Sequence, residues 1–299
     1  MLGPSGPAEP GPFRTQSLGL VLPPRALAVS ANGWYLFRPA ELGVSSPDPN
    51  GRTVDVVSRA TVIDFRIAVG LGRRLDLTAA LPIFVDVRGA GPDAIATQKP
   101  APISGAAFGD PRLGVRANLL SAQYFRLMLR NEWSLPFGNE AMYAGDGAAT
   151  STLALSAVWD YAGWVIAYET GYKASHAVRF GDLRLGSSML NNLGFARDIL
   201  RGHELTVGVE LWAQPVLVSA PKSDVPSTSG ATPIPAEWLL NVQWRPEFMP
   251  AWFWLGGGSA LPISRRDTAG APFADSHFIA PSAARIRLGL GAGFLLGGQ

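Results

Sequence analysis

Cysteine is absent from the 299 residues, which excludes disulfides, thiolate metal sites and cysteine nucleophiles together. Charge is scarce as well. Only 16% of residues are charged against 47% apolar, and the mean hydropathy is +0.15, too little polarity to solvate a soluble surface of this size comfortably. Long apolar runs are also missing: no window approaches the roughly 18 to 20 uninterrupted apolar residues that a spanning helix needs. Only helices and closed sheets satisfy their backbone groups inside hydrocarbon, so this composition points to a membrane β-barrel. With 25 basic and 23 acidic residues mixed along the chain, and no basic cluster interleaved with aromatics, nucleic acid is not an expected partner.

Histidine is nearly absent too. His176, His203 and His277 are the three present, and none is expected on a strand face beside a serine, as a hydrolase triad would require. No HExxH or EF-hand spacing occurs, and the glycines at 289–293 leave no room for the helix of a nucleotide loop. No enzyme activity, catalytic residue, metal or cofactor is therefore expected.

What the sequence does contain is period-two alternation, the mark of strands with one wet and one apolar face. At 109–120, Asp110, Arg112, Gly114, Arg116 and Asn118 alternate with Leu113, Val115, Ala117 and Leu119. The pattern predicts twelve strands, at 26–38, 54–70, 74–87, 109–120, 124–136, 151–160, 163–174, 181–197, 203–218, 235–245, 251–263 and 282–295. The gaps between them run 15, 3, 21, 3, 14, 2, 6, 5, 16, 5 and 18 residues. Long and short connections alternate, as they do in transmembrane barrels, whose periplasmic turns are short and external loops long. The predicted fold is an all-β, antiparallel up-and-down barrel of twelve strands with both termini periplasmic, located in the cell outer membrane.

Residues 1–24 are rich in proline and glycine and read as a linker or a plug, and residues 25–299 as the barrel. No export signal is recognisable, so one is expected to have been removed or to lie outside this sequence. Tyr124, Phe125, Trp159, Tyr161, Trp164, Trp244, Phe248, Trp252 and Trp254 all sit beside short turns, and are expected to form an interfacial girdle. Leu81-Pro82, Leu135-Pro136 and Leu261-Pro262 each close a strand before a long loop, where the missing ladder donor of proline is tolerated. The segment FGDPRLG at 108–114 returns as FGDLRLG at 180–186.

The stretches LPP at 22–24, GLGRRLDLTAALPI at 70–83, FGDPRLGVRANLL at 108–120 and LPFGNEAMYAGDG at 135–147 resemble the barrel domains of OmpA-like envelope proteins of myxobacteria and their relatives. That resemblance implies an envelope barrel and supplies no catalytic residues. Many members carry a peptidoglycan-binding domain after the barrel, so the expected partners are the outer-membrane bilayer and periplasmic or peptidoglycan-associated proteins.

The alternation also assigns a lumen. Its expected cations are Arg66, Arg112, Arg116, Arg126, Arg130, Lys173, Arg184, Arg245, Arg285 and Arg287. Its expected anions are Asp64, Asp76, Asp86, Asp110, Glu132, Asp160, Glu169, Asp182, Glu204, Glu210 and Glu237. A twelve-strand barrel lies between those filled by side chains and open porins, so so many paired charges are expected to narrow it. This reading favours an envelope barrel with a largely filled or narrow charged lumen. The alternatives are a passive porin-like channel for small solutes and, less favoured, a soluble all-β binding protein.

Overall fold

The computed structural model describes residues 7–16, 21–44, 52–91, 102–176, 178–180, 183–200, 204–218, 234–265, 276–279 and 283–297. Twelve long antiparallel strands form a closed barrel. They are β1 (Leu27–Val44), β2 (Arg52–Gly70), β3 (Leu75–Gly89), β5 (Arg112–Ser121), β6 (Phe125–Ser134), β7 (Thr150–Tyr161), β8 (Trp164–Ala174), β10 (Leu183–Asp198), β11 (Leu205–Ala213), β13 (Ala236–Trp244), β14 (Ala251–Ala260) and β16 (Ile286–Leu296). Four short strands extend the long-loop rim: β4 (Ile103–Phe108) on β3, β9 (Val178–Phe180) and β12 (Val216–Val218) on β10, and β15 (Ser276–Ile279) on β1. Pairing of β1 with β16 and of β10 with β11 closes the circle, which removes the exposed edges an open sheet would present. Each of the twelve predicted strands has its counterpart. The predicted strand 203–218 is interrupted at Gln214–Pro215, where proline cannot donate to the ladder and β12 begins anew.

Alternation places the apolar residues outside. Leu155, Ile166, Val209, Leu240, Leu255, Leu288 and Leu290 are all exposed, Leu255 at 65% and Leu290 at 63%, while their sequence neighbours Ala154, Val165, Gly208, Asn241, Trp254, Arg287 and Gly289 are buried in the interior. A globular protein in water would not expose such a belt; lipid removes the cost. The five short connections and the free ends of β1 and β16 share one rim. The tightest of them, Ala162-Gly163, has φ of 52° and 77°, the pair of positive values that a two-residue hairpin turn requires.

Aromatics crowd the outside of that rim. Tyr124 meets Tyr161 edge-on at 5.0 Å, Phe125 meets Trp159 at 4.8 Å, and Trp244 stacks on Phe253 at 5.6 Å. Trp164 and Phe248 are exposed beside them. Trp252 and Trp254 correct the expectation. They point inward and are only 1% and 3% exposed, because they share the phase of Asn241 and Gln243 on the neighbouring strand. Phe253 and Leu255 take the lipid side of β14 instead. Asp86 is a second correction. A register shift between Thr61 and Val62 reverses the phase of β3 beyond Val85, and Asp86 pairs on the outer face with Arg59 at 3.2 Å and Arg88 at 3.0 Å.

Candidate functional site: an occupied lumen

The lumen wall is a set of ion pairs between inward positions of the same strand, of adjacent strands or of strands with one between them. Asp64 takes Arg66 at 2.6 Å and Arg112 at 3.4 Å. Asp76 takes Arg116 through two bonds of 2.8 and 2.6 Å. Glu169 takes Arg130 at 2.8 Å, with Glu132 at 3.5 Å on the other side of that guanidinium. Glu237 takes Arg287 at 2.6 Å, and Asp160 takes Arg126 at 3.1 Å. Toward the long-loop rim Arg285 pairs with Glu41 at 2.6 Å and Lys173 with Asp146 at 2.8 Å. Most of these groups are buried, so the pairing is what permits the charges to be there at all.

Asp110 does something different. Its two oxygens accept from the backbone N–H of Gly138 at 2.7 Å and of Asp146 at 2.6 Å, which folds the 135–149 connection over the lumen. Met142, Tyr143 and Ala144 of that connection pack against the interior cluster containing Phe84. Glu204 and Arg245 lie one residue outside β11 and β13, in turns at the mouth: Glu204 is half-buried, and Arg245 is exposed and lines a cavity there with Pro10 and Trp252. Asp182 lies outside the described residues, as does the side chain of Arg184. Of the histidines, His176 is exposed, His203 lies outside the described residues, and His277 belongs to β15.

The residues that sequence reasoning did not place are those of the N-terminal segment. Residues 7–16 run inside the barrel near the short-turn rim, and Ala8, Glu9, Phe13, Arg14, Thr15 and Gln16 are buried. Phe13 packs among Val158, Val165, Ala167 and Ala196, all inward residues of β7, β8 and β10. Ala8 joins Leu22, Ala28, Ala68 and Trp252 in a second cluster. Glu9 forms an ion pair with Arg116, and the carbonyl of Pro7 accepts from Arg66 at 3.4 Å. Glu210 accepts from the backbone N–H of Arg14 at 2.6 Å and from the N–H and hydroxyl of Thr15 at 2.7 and 2.6 Å. Gln243 accepts from the N–H of Gly11 at 2.7 Å, and Asn192 donates to the carbonyl of Thr15 at 3.1 Å.

The wall is shaped to this segment. A Cβ on Gly208 would fall 2.5 Å from the carbonyl oxygen of Pro12, and one on Gly194 would fall within 2.6 Å of the Phe13 ring. Glycines on β16 serve the same end indirectly. Gly289 leaves room for the indoles of Trp34 and Trp254, which meet at 4.8 Å. Trp254 donates to Asn32 at 2.7 Å and lies 5.4 Å beneath the guanidinium of Arg14. Burial lowers the Arg14 pKa to about 10 against the opposing pull of Glu210, so the group is charged at neutral pH. Beside Arg66, Arg112, Arg116 and Arg130 one cavity between segment and wall measures about 30 Å³, space for about one water.

Among the described residues no group of three His, Asp or Glu is placed to hold a metal ion. No known family model and no curated protein matches the chain. Among solved structures it is similar to an outer membrane channel of Pseudomonas putida F1, at 14% identity over 92% of this chain and 97% of that one, with a TM-score of 0.64. It is also similar to the NanC porin, at 8% identity over 89% and 98% of the two chains, with a TM-score of 0.50. Together with the apolar outer belt and the closed ladder, this fold makes the chain an outer-membrane β-barrel.

Proposed function

We propose that the protein is an outer-membrane channel for small solutes, closed at its periplasmic end by its own N-terminal segment. In this reading residues 1–24 are the plug and residues 25–299 the channel. One observation carries it: the obstruction near the short-turn rim is a separate stretch of chain, residues 7–16, held by side chains and not by strand pairing. Such contacts break one by one, whereas a strand in the ladder does not.

The seating is also incomplete. Arg14 Nε, Glu9 Oε2 and both amide atoms of Gln16 are buried with no hydrogen-bond partner among the described residues. Each such atom offsets part of the segment's hold by about 1–3 kcal/mol, and withdrawal would return it to water. The wall keeps its own ion pairs when the segment leaves, since both members of each pair lie on strands.

A second reading, the OmpA-like envelope barrel whose lumen stays filled, draws on the same ion pairs. The two are separated by locking the segment, which the absence of native cysteine makes clean. Thr15→Cys with Asn192→Cys joins two residues already in hydrogen-bond contact. In planar bilayers the oxidised protein should be silent and should conduct after reduction. Silence in both states would favour the envelope barrel; equal conductance in both would remove the plug from the account.

A further inference from the structure

We propose that the lumen carries a cation subsite, formed by Glu210, Gln243 and the face of Trp254, which Arg14 fills while the segment is seated. Resting on the channel reading for its role in transport, the inference names the solute class: molecules bearing a guanidinium or primary ammonium group.

The case begins with what the wall would be left with. Arg66 and Arg112 stay on Asp64, Arg116 on Asp76, Arg130 on Glu169, Arg287 on Glu237 and Arg126 on Asp160, because both members of every pair belong to strands. Arg116 loses Glu9 and keeps two bonds to Asp76. Glu210 is in a different position. It is fully buried, and among the described residues no arginine or lysine of the wall forms an ion pair with it. Three of its hydrogen bonds come from the segment, from the backbone N–H of Arg14 and the N–H and hydroxyl of Thr15, while the Arg14 guanidinium itself bonds Gln243; the wall supplies one, from the amide of Asn241 at 3.0 Å. Withdrawal therefore leaves an uncompensated carboxylate inside the barrel.

The groups around it select the same sign. Arg14 donates to the amide oxygen of Gln243 at 3.0 Å, and its guanidinium lies over Trp254. That indole is fixed by the wall, through Asn32 and the space beside Gly289, so the platform exists without the segment. A carboxylate, an amide oxygen and an aromatic face all attract cations. The guanidinium of Arg14 stands where the solute's cationic group would bind.

The test uses the full chain with Arg14→Ala, which empties the subsite of its guanidinium, and ethylguanidinium as the probe. Binding is read by titration calorimetry of the detergent-refolded barrel. Ethylguanidinium should bind Arg14→Ala, should fail to bind the wild type, whose subsite is filled, and should bind Arg14→Ala with Glu210→Gln about tenfold more weakly. Ethyl sulfate, of the same size and opposite charge, should bind none of them. Arg14→Gln serves if the alanine variant does not refold. Equal affinity with and without Glu210→Gln, no binding to either Arg14 variant, or binding of ethyl sulfate would overturn the proposal. The readout needs no conduction: a protein that binds the probe and never conducts sinks the channel reading alone, and one that conducts without binding sinks the subsite alone.

Discussion

Gly194 of β10 lies directly under Phe13: a single methyl group added to the glycine would stand 2.6 Å from the ring, far inside contact distance. The residue is on the inner face, between the buried Asn192 and Ala196, so the added group has nowhere else to go. Gly194→Leu should therefore expel residues 7–16 and leave the ladder intact. Trypsin checks this at Arg14, which is 4% exposed in the native fold. The wild type should resist cleavage there and the variant should be cut, while both keep heat-modifiable migration on gels. Protection of Arg14 in the variant would mean that the wall tolerates the side chain.

The lipid face gives a second test. Leu240 is exposed in the middle of β13, with its neighbours Leu239 and Asn241 buried. Leu240→Arg should reduce stability by about 2–4 kcal/mol, the cost of a cation near the bilayer midplane. Phe248→Arg, in a turn at the rim, should cost about 0–1 kcal/mol. Urea titration of the protein folded in lipid vesicles measures both; equal penalties would contradict the assigned membrane depth.

Glu237 holds Arg287 through bonds of 2.6 and 3.2 Å and also accepts from the N–H of Ala284 at 2.6 Å. Glu237→Gln would strand a buried guanidinium, and a loss of about 3–5 kcal/mol is expected in the same unfolding assay. Adding Arg287→Met should recover most of it, since the cost lies in the unpaired charge. A double variant no more stable than the single one would show that the pair's worth is in packing.

Orientation follows from connection length. Protease sites introduced near Pro92, Ser227 and Ala269 should be cut on intact cells, and sites near Arg73, Ala122 and Ala162 should be protected. The reverse pattern would put the N-terminal segment at the cell surface.

Alternation made the twelve strands legible, because a barrel wall between lipid and a polar interior writes its two faces into every second residue. Where both faces carry aromatics the signal vanishes. Ala251-Trp252-Phe253-Trp254-Leu255 is apolar throughout, and only its pairing with Asn241 and Gln243 tells which indoles turn inward. Asp86 was hidden for another reason, since a bulge shifts phase without changing composition. The path of residues 7–16 has no periodicity to read. Its contacts with Glu210, Asn192 and Gln243 join residues more than 170 positions apart. The one local hint lay in the wall, where Gly194 and Gly208 stand at inward positions that would otherwise carry side chains.

Single-channel recording of the intact protein beside Gly194→Leu tests the central claim most directly. The account predicts small, intermittent conductance from the intact chain and large, stable openings from the variant, in the same preparation in which trypsin now cuts at Arg14. Large steady conductance from the intact chain, or a silent variant with its segment demonstrably released, would contradict it.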